Sequence, residues 1–240
     1  MDKSRLLSTT EIYGVVGDGK VRFSLSPPMH NVVFEKLNLN CAYLAFEVKS
    51  ENLEQAIRGA KALGIKGLNV TIPHKVAVIK FLDELDKSAQ LVGSVNTIKF
   101  DGNAVGFNTD GIGAIRALEE ESKETIKGKK VVLLGAGGAA RAIAYQLALK
   151  KAQEIVIANR TIKKAQELAD EIQLKLKVKV RACGIDKEIL KKEIGNSKFL
   201  INATSIGMLP NIDETLVTAD CMHADLVVKD VIYNPLKTRL

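Results

Sequence analysis

The sequence predicts an α/β fold in two domains, each built from strands that alternate with helices. Three observations carry that prediction. Apolar runs of strand length alternate with amphipathic runs of helix length from residue 11 onward, a hairpin and a polar stretch interrupt the order midway, and the alternation restarts near residue 130 with a strand that ends in a glycine-rich turn. Alternation of this kind signals parallel sheet with crossover helices. With 240 residues, 46% of them hydrophobic, the chain is long enough for two cores.

The first series opens with EIYGVVG as a strand and SPPMHNVVFEKLN as a helix, whose prolines stand where a missing N–H costs nothing. AYLAFEV is the second strand. SENLEQAIRGAKALG is the second helix, with Ser50 as N-cap, Leu53, Ala56, Ile57 and Ala60 on one face, and Gly64 as the stop. GLNVTIP follows as a strand and leads into HKVAVIKFLDELD, read as a helix with Pro73 at its first position. SVNTIKF and AVGFNT form a hairpin around DGN, because Asp-Gly supplies the positive φ of a tight turn. After the helix GIGAIRALEEE, the polar stretch SKETIKGKK reads as a linker. The second series is VVLLG, the helix GAARAIAYQLALK, EIVIANR, a helix from Thr161, VKVRACG, a short helix near 186, then FLINATS and LVVKDVIY. We divide the chain into domains 1–109 and 110–240. There is no internal repeat.

Composition narrows the function. The balance of 35 Lys+Arg against 28 Asp+Glu gives +7, which suits anionic ligands, but the basic residues are scattered and aromatics make up only 5%. Without a basic stripe or stacking platforms, nucleic-acid binding is not expected. Cys41, Cys183 and Cys221 form no CxxC pair, and His30, His74 and His223 fall in no ligand spacing, so neither a disulfide framework nor a metal site is expected. MDKSRLLSTT lacks the apolar core of a signal peptide, and the apolar region around 131–149 is broken by glycines and Arg141. These features predict a soluble protein of the reducing cytoplasm, without membrane association.

VVLLGAGGAARAIA carries the sharpest chemistry. Gly135, Gly137 and Ala140 stand in GxGxxG/A spacing between a buried strand and a helix start. The first makes the tight turn, the second lets a pyrophosphate approach the backbone, and the third allows close helix–strand packing. The free N–H groups and the helix dipole then bind phosphate. This is the fingerprint of a Rossmann-type, doubly wound dinucleotide-binding domain. For NAD the next strand should end in an acid that accepts from the ribose 2′-OH, yet EIVIANRT ends in Asn159, Arg160 and Thr161. A carboxylate repels a 2′-phosphate and a guanidinium binds it, so NADP is the expected cofactor. Lys163 and Lys164 add charge nearby or are simply solvated.

In the first domain, Ser24 and Ser26 stand two apart just before the prolines. They either hold a carboxylate or form an ordinary cap and turn, and on spacing alone capping is the plainer reading. Asn96 in SVNT and Asp110 in NTDG carry the same ambiguity. In NVTIPHK, Asn69 and Thr71 point to one side of an extended stretch and Val70 and Ile72 to the other. Pro73 keeps Ile72 extended and puts Lys75 in the first turn of the expected helix. A cation there faces the positive end of the helix dipole at a cost of about 0.3–1 kcal/mol, and the same field favours the neutral amine.

Together, SLSPPMHN, NVTIPHK, SVNT, NTDG, GAGGAARA, NRT, NATSIGM and YNP, in this order, resemble the shikimate dehydrogenase family, and the match extends over about residues 11–238. The resemblance implies an N-terminal α/β substrate-binding domain and a second domain that binds NADP. The implied enzyme is an NADP-dependent oxidoreductase that interconverts shikimate and 3-dehydroshikimate in aromatic amino acid biosynthesis. Ser24 and Ser26 would bind the substrate carboxylate, with Tyr233 nearby. Asn69, Thr71, Lys75, Asn96 and Asp110 would surround the ring hydroxyls, with Lys75 as acid/base and Asp110 as its neighbour. On the cofactor side the resemblance implies Gly135, Ala136, Gly137, Gly138 and Ala139 at the pyrophosphate. It implies Asn159, Arg160, Thr161 and Lys164 at the adenosine phosphate, and Ala203, Thr204 and Val231 along the nicotinamide half.

The chain departs from the family at Phe23, where a histidine is usual, at Gly19, where proline is common, and at Ser94, where alanine is common. The family also continues past YNPLKTRL with a glycine-rich segment, a substrate-contacting glutamine and helices that pack on the first domain. Loss of that cover would favour self-association as a homodimer. Two rival readings remain open: a dehydrogenase that accepts quinate or another hydroxylated ring acid, and a non-catalytic NADP- or metabolite-binding relative.

Overall fold

A computed structural model describes residues 6–240, so the first five residues, part of the N-terminal stretch read for a leader, lie outside the described residues. Contacts divide the chain into two units, Met1–Thr109 and Asp110–Leu240.

Unit 1 contains β1 (Glu11–Gly17), α1 (Ser26–Lys36), β2 (Cys41–Glu47), α2 (Leu53–Ala62), β3 (Gly67–Val70), β4 (Glu84–Leu85), α3 (Lys87–Val92), β5 (Thr97–Asp101) and β6 (Asn103–Phe107). Its six-stranded sheet runs β2-β1-β3-β5-β6-β4. β1 pairs in parallel with β2 and β3, and β5 runs antiparallel to β3 and β6. The predicted hairpin is present, with Gly102 at φ +73°. Leu53, Ile57 and Ala60 of α2 join Val16, Leu68, Val70, Val78 and Ile98 in the core. α1 buries none of its residues, and Met29, Val32, Val33 and Leu37 are exposed.

Three sequence readings are corrected in this unit and at its junction with the next. Ser50 is not the N-cap of α2: it opens a 3₁₀ turn, Ser50–Asn52, whose backbone bond from Asn52 N–H to the Lys49 carbonyl (3.0 Å) takes the place of a side-chain cap. The helix expected from Pro73 is replaced by turns, a 3₁₀ segment Ala77–Phe81, and the short strand β4. Tertiary pairing wins over the apolar pattern there. The Lys75 carbonyl accepts from Val95 N–H (2.8 Å), while the N–H groups of Asp83 and Asp86 bond to the carbonyls of Ala104 and Gly106. The stretch read as a linker is packed into unit 2, where Ile126 is fully buried and its N–H bonds to the Glu119 carboxylate (3.1 Å).

Unit 2 contains α4 (Asp110–Ser122), β7 (Lys130–Leu134), α5 (Gly138–Leu149), β8 (Glu154–Ala158), α6 (Ile162–Leu176), β9 (Val180–Cys183), α7 (Lys187–Ile194), β10 (Phe199–Asn202) and β11 (Val227–Asp230). The sheet runs β11-β10-β7-β8-β9, with every pairing parallel. This is the doubly wound order, and it reverses between β7 and β10, where such sheets bind ligands beyond the carboxyl ends of their strands. Strands buried on both faces explain why VVLL, IVIA and FLI read as unbroken apolar runs. Gly111 follows from α4 packing on α5, because a Cβ there would lie 2.3 Å from the Ala142 carbonyl oxygen. Among the described residues no helix is long and apolar enough to cross a membrane.

Candidate functional site

In unit 1 the candidate residues gather at the carboxyl ends of β1 and β3 and the approach to β5. Gly17 closes β1, and a Cβ there would stand 2.5 Å from the Thr71 methyl, so glycine makes the room that Thr71 occupies. Thr71 N–H bonds to the Val16 carbonyl (3.0 Å), extending the β1–β3 ladder by one step. Asn69 is fixed by three bonds. Its Oδ1 accepts from the Tyr43 hydroxyl (2.5 Å), and its Nδ2 donates to the Asn96 carbonyl (3.3 Å) and to Thr97 Oγ1 (3.1 Å). Asn96 is buried; its Nδ2 donates to Thr109 Oγ1 (2.9 Å) and its Oδ1 accepts from Thr109 N–H (2.9 Å). Asn108, also buried, donates to the carbonyl and hydroxyl of Ser94. The Ser94 that departs from the family pattern therefore has a hydrogen-bonding task.

The serine pair differs from the simple cap. The N-cap of α1 is Leu25, Ser26 is the first helical residue, and Ser24 Oγ accepts from Ser26 N–H (3.2 Å). Ser26 also hydrogen-bonds to Tyr43. Burial pushes the Tyr43 hydroxyl up to about 12, with the Ser26 bond acting in the opposite direction. His30, stacked on Tyr43, is held below its usual value by burial. Lys75 lies in a turn rather than a helix, and its neighbour His74, 1% exposed, donates from Nε2 to the Val48 carbonyl (2.7 Å). Asp110 opens α4 and belongs to unit 2. Tyr233, also in unit 2, follows β11 in an irregular segment and is 64% exposed.

Tyr43 was missed by sequence reasoning. The available signal was a tyrosine among the small and apolar residues of a strand, since a buried phenol needs a partner.

In unit 2 the glycine turn sits where the sheet order reverses. Gly135 has φ +106°, and a Cβ would lie 2.9 Å from the Ala203 carbonyl oxygen, so both conformation and space demand glycine. Gly137 is the N-cap of α5, in an extended conformation, and nothing stands within 4 Å of where a Cβ would be at Gly137 or Gly138. That open space fronts the unpaired N–H groups of the helix start, which is the cradle a dinucleotide pyrophosphate needs, so the residues present fit the expected cofactor. Ala140 is fully buried, as close helix packing requires.

Three backbone bonds beyond the strand ends align the rest of this edge: Gly135 N–H to the Ala158 carbonyl (2.8 Å), Ala203 N–H to the Leu134 carbonyl (2.9 Å) and Val231 N–H to the Asn202 carbonyl (3.0 Å). Asn202, 4% exposed, organises the loop after β10 by accepting from the backbone N–H and hydroxyl of Thr204 and donating to Asp230 (3.1 Å). Ala136 and Ala139 flank the glycines. At the end of β8, Asn159 Nδ2 donates to the Thr161 carbonyl (2.9 Å), while Arg160, Thr161 and Lys164 are exposed. Among the described residues no group of three or more His, Cys, Asp or Glu is placed to hold a metal.

Comparison with known proteins gives a consistent result. Residues 15–98 match the family profile described as shikimate dehydrogenase substrate binding domain, and residues 117–222 match shikimate / quinate 5-dehydrogenase. A relative from Methanopyrus kandleri named shikimate dehydrogenase (NADP(+)) is 54% identical over 233 residues, 96% of this chain and 80% of that one. A crystal structure of a shikimate dehydrogenase in complex with NADP+ superposes with TM-score 0.91 at 51% identity, covering 98% of this chain and 81% of the other. A Listeria monocytogenes shikimate 5-dehydrogenase in complex with shikimate and NAD gives TM-score 0.91 at 42% identity, covering 98% and 83%.

Proposed function

The chain belongs to the shikimate dehydrogenase family, and from that premise we propose how its own residues carry out the reaction. The protein is an NADP-dependent oxidoreductase that interconverts shikimate and 3-dehydroshikimate in aromatic amino acid biosynthesis. The observation that carries the assignment of residues is the polar cluster of unit 1: Asn69, Thr71 and Asn96 converge at neighbouring strand ends beside the turn that bears Lys75.

Oxidation of a secondary alcohol takes a proton from its oxygen and a hydride from its carbon. NADP+, when bound, supplies the hydride acceptor. Lys75, as the neutral amine, takes the hydroxyl proton, and in the reverse direction its ammonium donates to the ketone oxygen. Asp110 is assigned a catalytic role as an ionisable residue. Ser24 and Ser26 receive the substrate carboxylate at the start of α1, while Asn69, Thr71 and Asn96 bind ring hydroxyls; Tyr233 is assigned to the substrate as well. The backbone from Gly135 through Ala136, Gly137 and Gly138 to Ala139 receives the pyrophosphate. Arg160 and Lys164, with Asn159 and Thr161, receive the 2′-phosphate, and Ala203, Thr204 and Val231 line the nicotinamide half. A reducing cytoplasm is the location proposed for it, a reading supported by three cysteines that form no CxxC pair.

The test is NADPH formation followed by absorbance with shikimate, and with quinate in parallel. Lys75→Ala is expected to lower kcat by about 10²–10⁴-fold with cofactor affinity unchanged. Near-normal turnover of that variant would remove Lys75 from the proton transfer, and faster turnover of quinate would change the substrate.

A further inference from the structure

Tyr43 takes part in no step assigned above, yet it stands at the centre of the unit 1 network. It lies in β2, is 3% exposed, and its hydroxyl donates to Asn69 Oδ1 at 2.5 Å. Asn69 Nδ2 donates to the Asn96 carbonyl and to Thr97 Oγ1. A carbonyl oxygen only accepts, so the orientation of the Asn69 amide is settled by its partners: nitrogen toward β5, oxygen toward Tyr43. With both amide protons committed, Asn69 has only acceptor capacity left, on Oδ1.

Tyr43 is itself held from two directions. Its ring stacks on His30, with centroids 4.3 Å apart and 11° between the planes. Its backbone N–H donates to Asn31 Oδ1, and its carbonyl accepts from Asn31 Nδ2, both at 2.9 Å. His30 and Asn31 belong to α1, the helix that begins at Ser26. One phenol thus connects the serine end of the cluster to the strand end that carries Asn69.

We infer that Tyr43 is a positioning residue for substrate: it locks Asn69 as a hydrogen-bond acceptor, so that this position selects a ring hydroxyl and rejects an oxygen that bears no proton. The inference rests on the assignment of Asn69 to the substrate made above. It also says which hydroxyl Asn69 serves. The reacting oxygen loses its proton when it becomes a ketone and would then face a lone pair, so Asn69 fits a hydroxyl that stays a hydroxyl throughout, and the reacting one is left to Lys75. Because burial keeps the phenol protonated far above neutral pH, the lock holds across the working range.

The experiment is a double-mutant cycle on the full chain, reading kcat and KM for shikimate and for NADP with Tyr43→Phe, Asn69→Ala and the pair. Tyr43→Phe keeps the ring and its stack on His30. It removes the hydroxyl's bonds to Asn69 and to Ser26 and is expected to raise KM for shikimate about tenfold or more, with kcat within about twofold and KM for NADP unchanged. Asn69→Ala raises KM for shikimate as well, and the pair loses less than the sum of the two single changes, because Tyr43 acts in part through Asn69. Additive losses in the pair, an equal rise in KM for both ligands, or no change in KM with Tyr43→Phe would each overturn the inference while leaving the role of Asn69 intact. An Asn69→Ala variant with normal KM for shikimate would instead overturn the role of Asn69, and the inference with it.

Discussion

Two glycines of one turn should respond to alanine in opposite ways. Gly135 has φ +106°, and its Cβ would meet the Ala203 carbonyl oxygen at 2.9 Å. The left-handed conformation costs an L-residue about 1–2 kcal/mol, and crowding a packed backbone costs about 1–3 kcal/mol more. Gly135→Ala should therefore lose about 2–5 kcal/mol of stability, which for a chain of this length lowers Tm by roughly 5–15 °C. Gly137 has φ −82° and ψ −173°, and nothing lies within 4 Å of its Cβ position. Alanine there restricts the unfolded chain, a gain of about 0.4–1 kcal/mol, and loses a few tenths to one kcal/mol as a poorer N-cap, so Tm should barely move. The added methyl occupies space left for pyrophosphate, however, and pushing the phosphate off one backbone N–H loses a charge-assisted bond of about 1.5–3 kcal/mol, or about 10–100-fold in NADP affinity. Differential scanning fluorimetry and NADP titration on both variants read the two effects separately. Full NADP affinity in Gly137→Ala would refute the placement of the pyrophosphate, and a large fall in Tm for that variant would refute the reasoning from its conformation.

Two further outcomes follow from charged groups. Arg160→Ala should raise KM for NADP about tenfold and that for NAD less than about twofold; the exposed guanidinium puts the loss at the lower end for a charged contact. Steady-state kinetics with the two cofactors checks this, and equal changes would remove Arg160 from the 2′-phosphate. Glu193, whose side chain is 10% exposed, bonds to Arg181 (2.9 Å at Oε1) and Lys130 (2.9 Å at Oε2). The Arg181 guanidinium, helped by Lys130 and opposed by desolvation, holds its carboxyl down to about 2. A carboxyl lowered on folding stabilises above its unfolded value of about 4.3, and the contribution, about 3 kcal/mol, disappears as pH falls from about 5 toward 2. Glu193→Gln should thus melt well below the unmodified protein at pH 7, with the gap closing toward pH 2–3; parallel Tm curves would count against the pairing.

The parts of the fold that were legible in the sequence are those set by local rules. The β7 turn could be read because a positive φ, a close approach to Ala203 and a helix start each demand small residues at fixed spacing. The DGN hairpin was legible for the same reason. Residues 73–92 were not. Their apolar spacing suits a helix, but the bonds that decide the path come from Val95, Ala104 and Gly106, which no local pattern announces. α3 was missed there although its signals were present: Asp86 Oδ1 accepts from Ser88 N–H (2.8 Å), and Gly93 takes φ +71° at the end of the helix. Among the residues assigned to the site, the alternation of Asn69 against buried Val70 was legible, but β3 ends at Val70, and Ile72, read on the same side as Val70, is 78% exposed in a turn. Tyr43, 26 positions from its partner Asn69, was not legible, because only sheet registration brings β2 and β3 to either side of β1.

The position of Lys75 shows what replaces a failed local argument. The helix whose dipole was to act on its charge does not form, and a 3₁₀ segment of five residues has too few aligned peptides to stand in for it. Tertiary bonds place the lysine instead. His74 N–H bonds to the Thr71 carbonyl (2.9 Å), and its buried ring bonds to the Val48 carbonyl just past β2. The Lys75 carbonyl accepts from Val95, two residues before β5. The backbone around the amine is thus tied to three separate segments, two of which also carry Thr71 and Asn96. Proton transfer requires donor and acceptor to meet within hydrogen-bond reach, so a lysine on a loop is useful only if the loop is held this way. The same bonds that deny Lys75 a helix tie its backbone to the segments that carry Thr71 and Asn96.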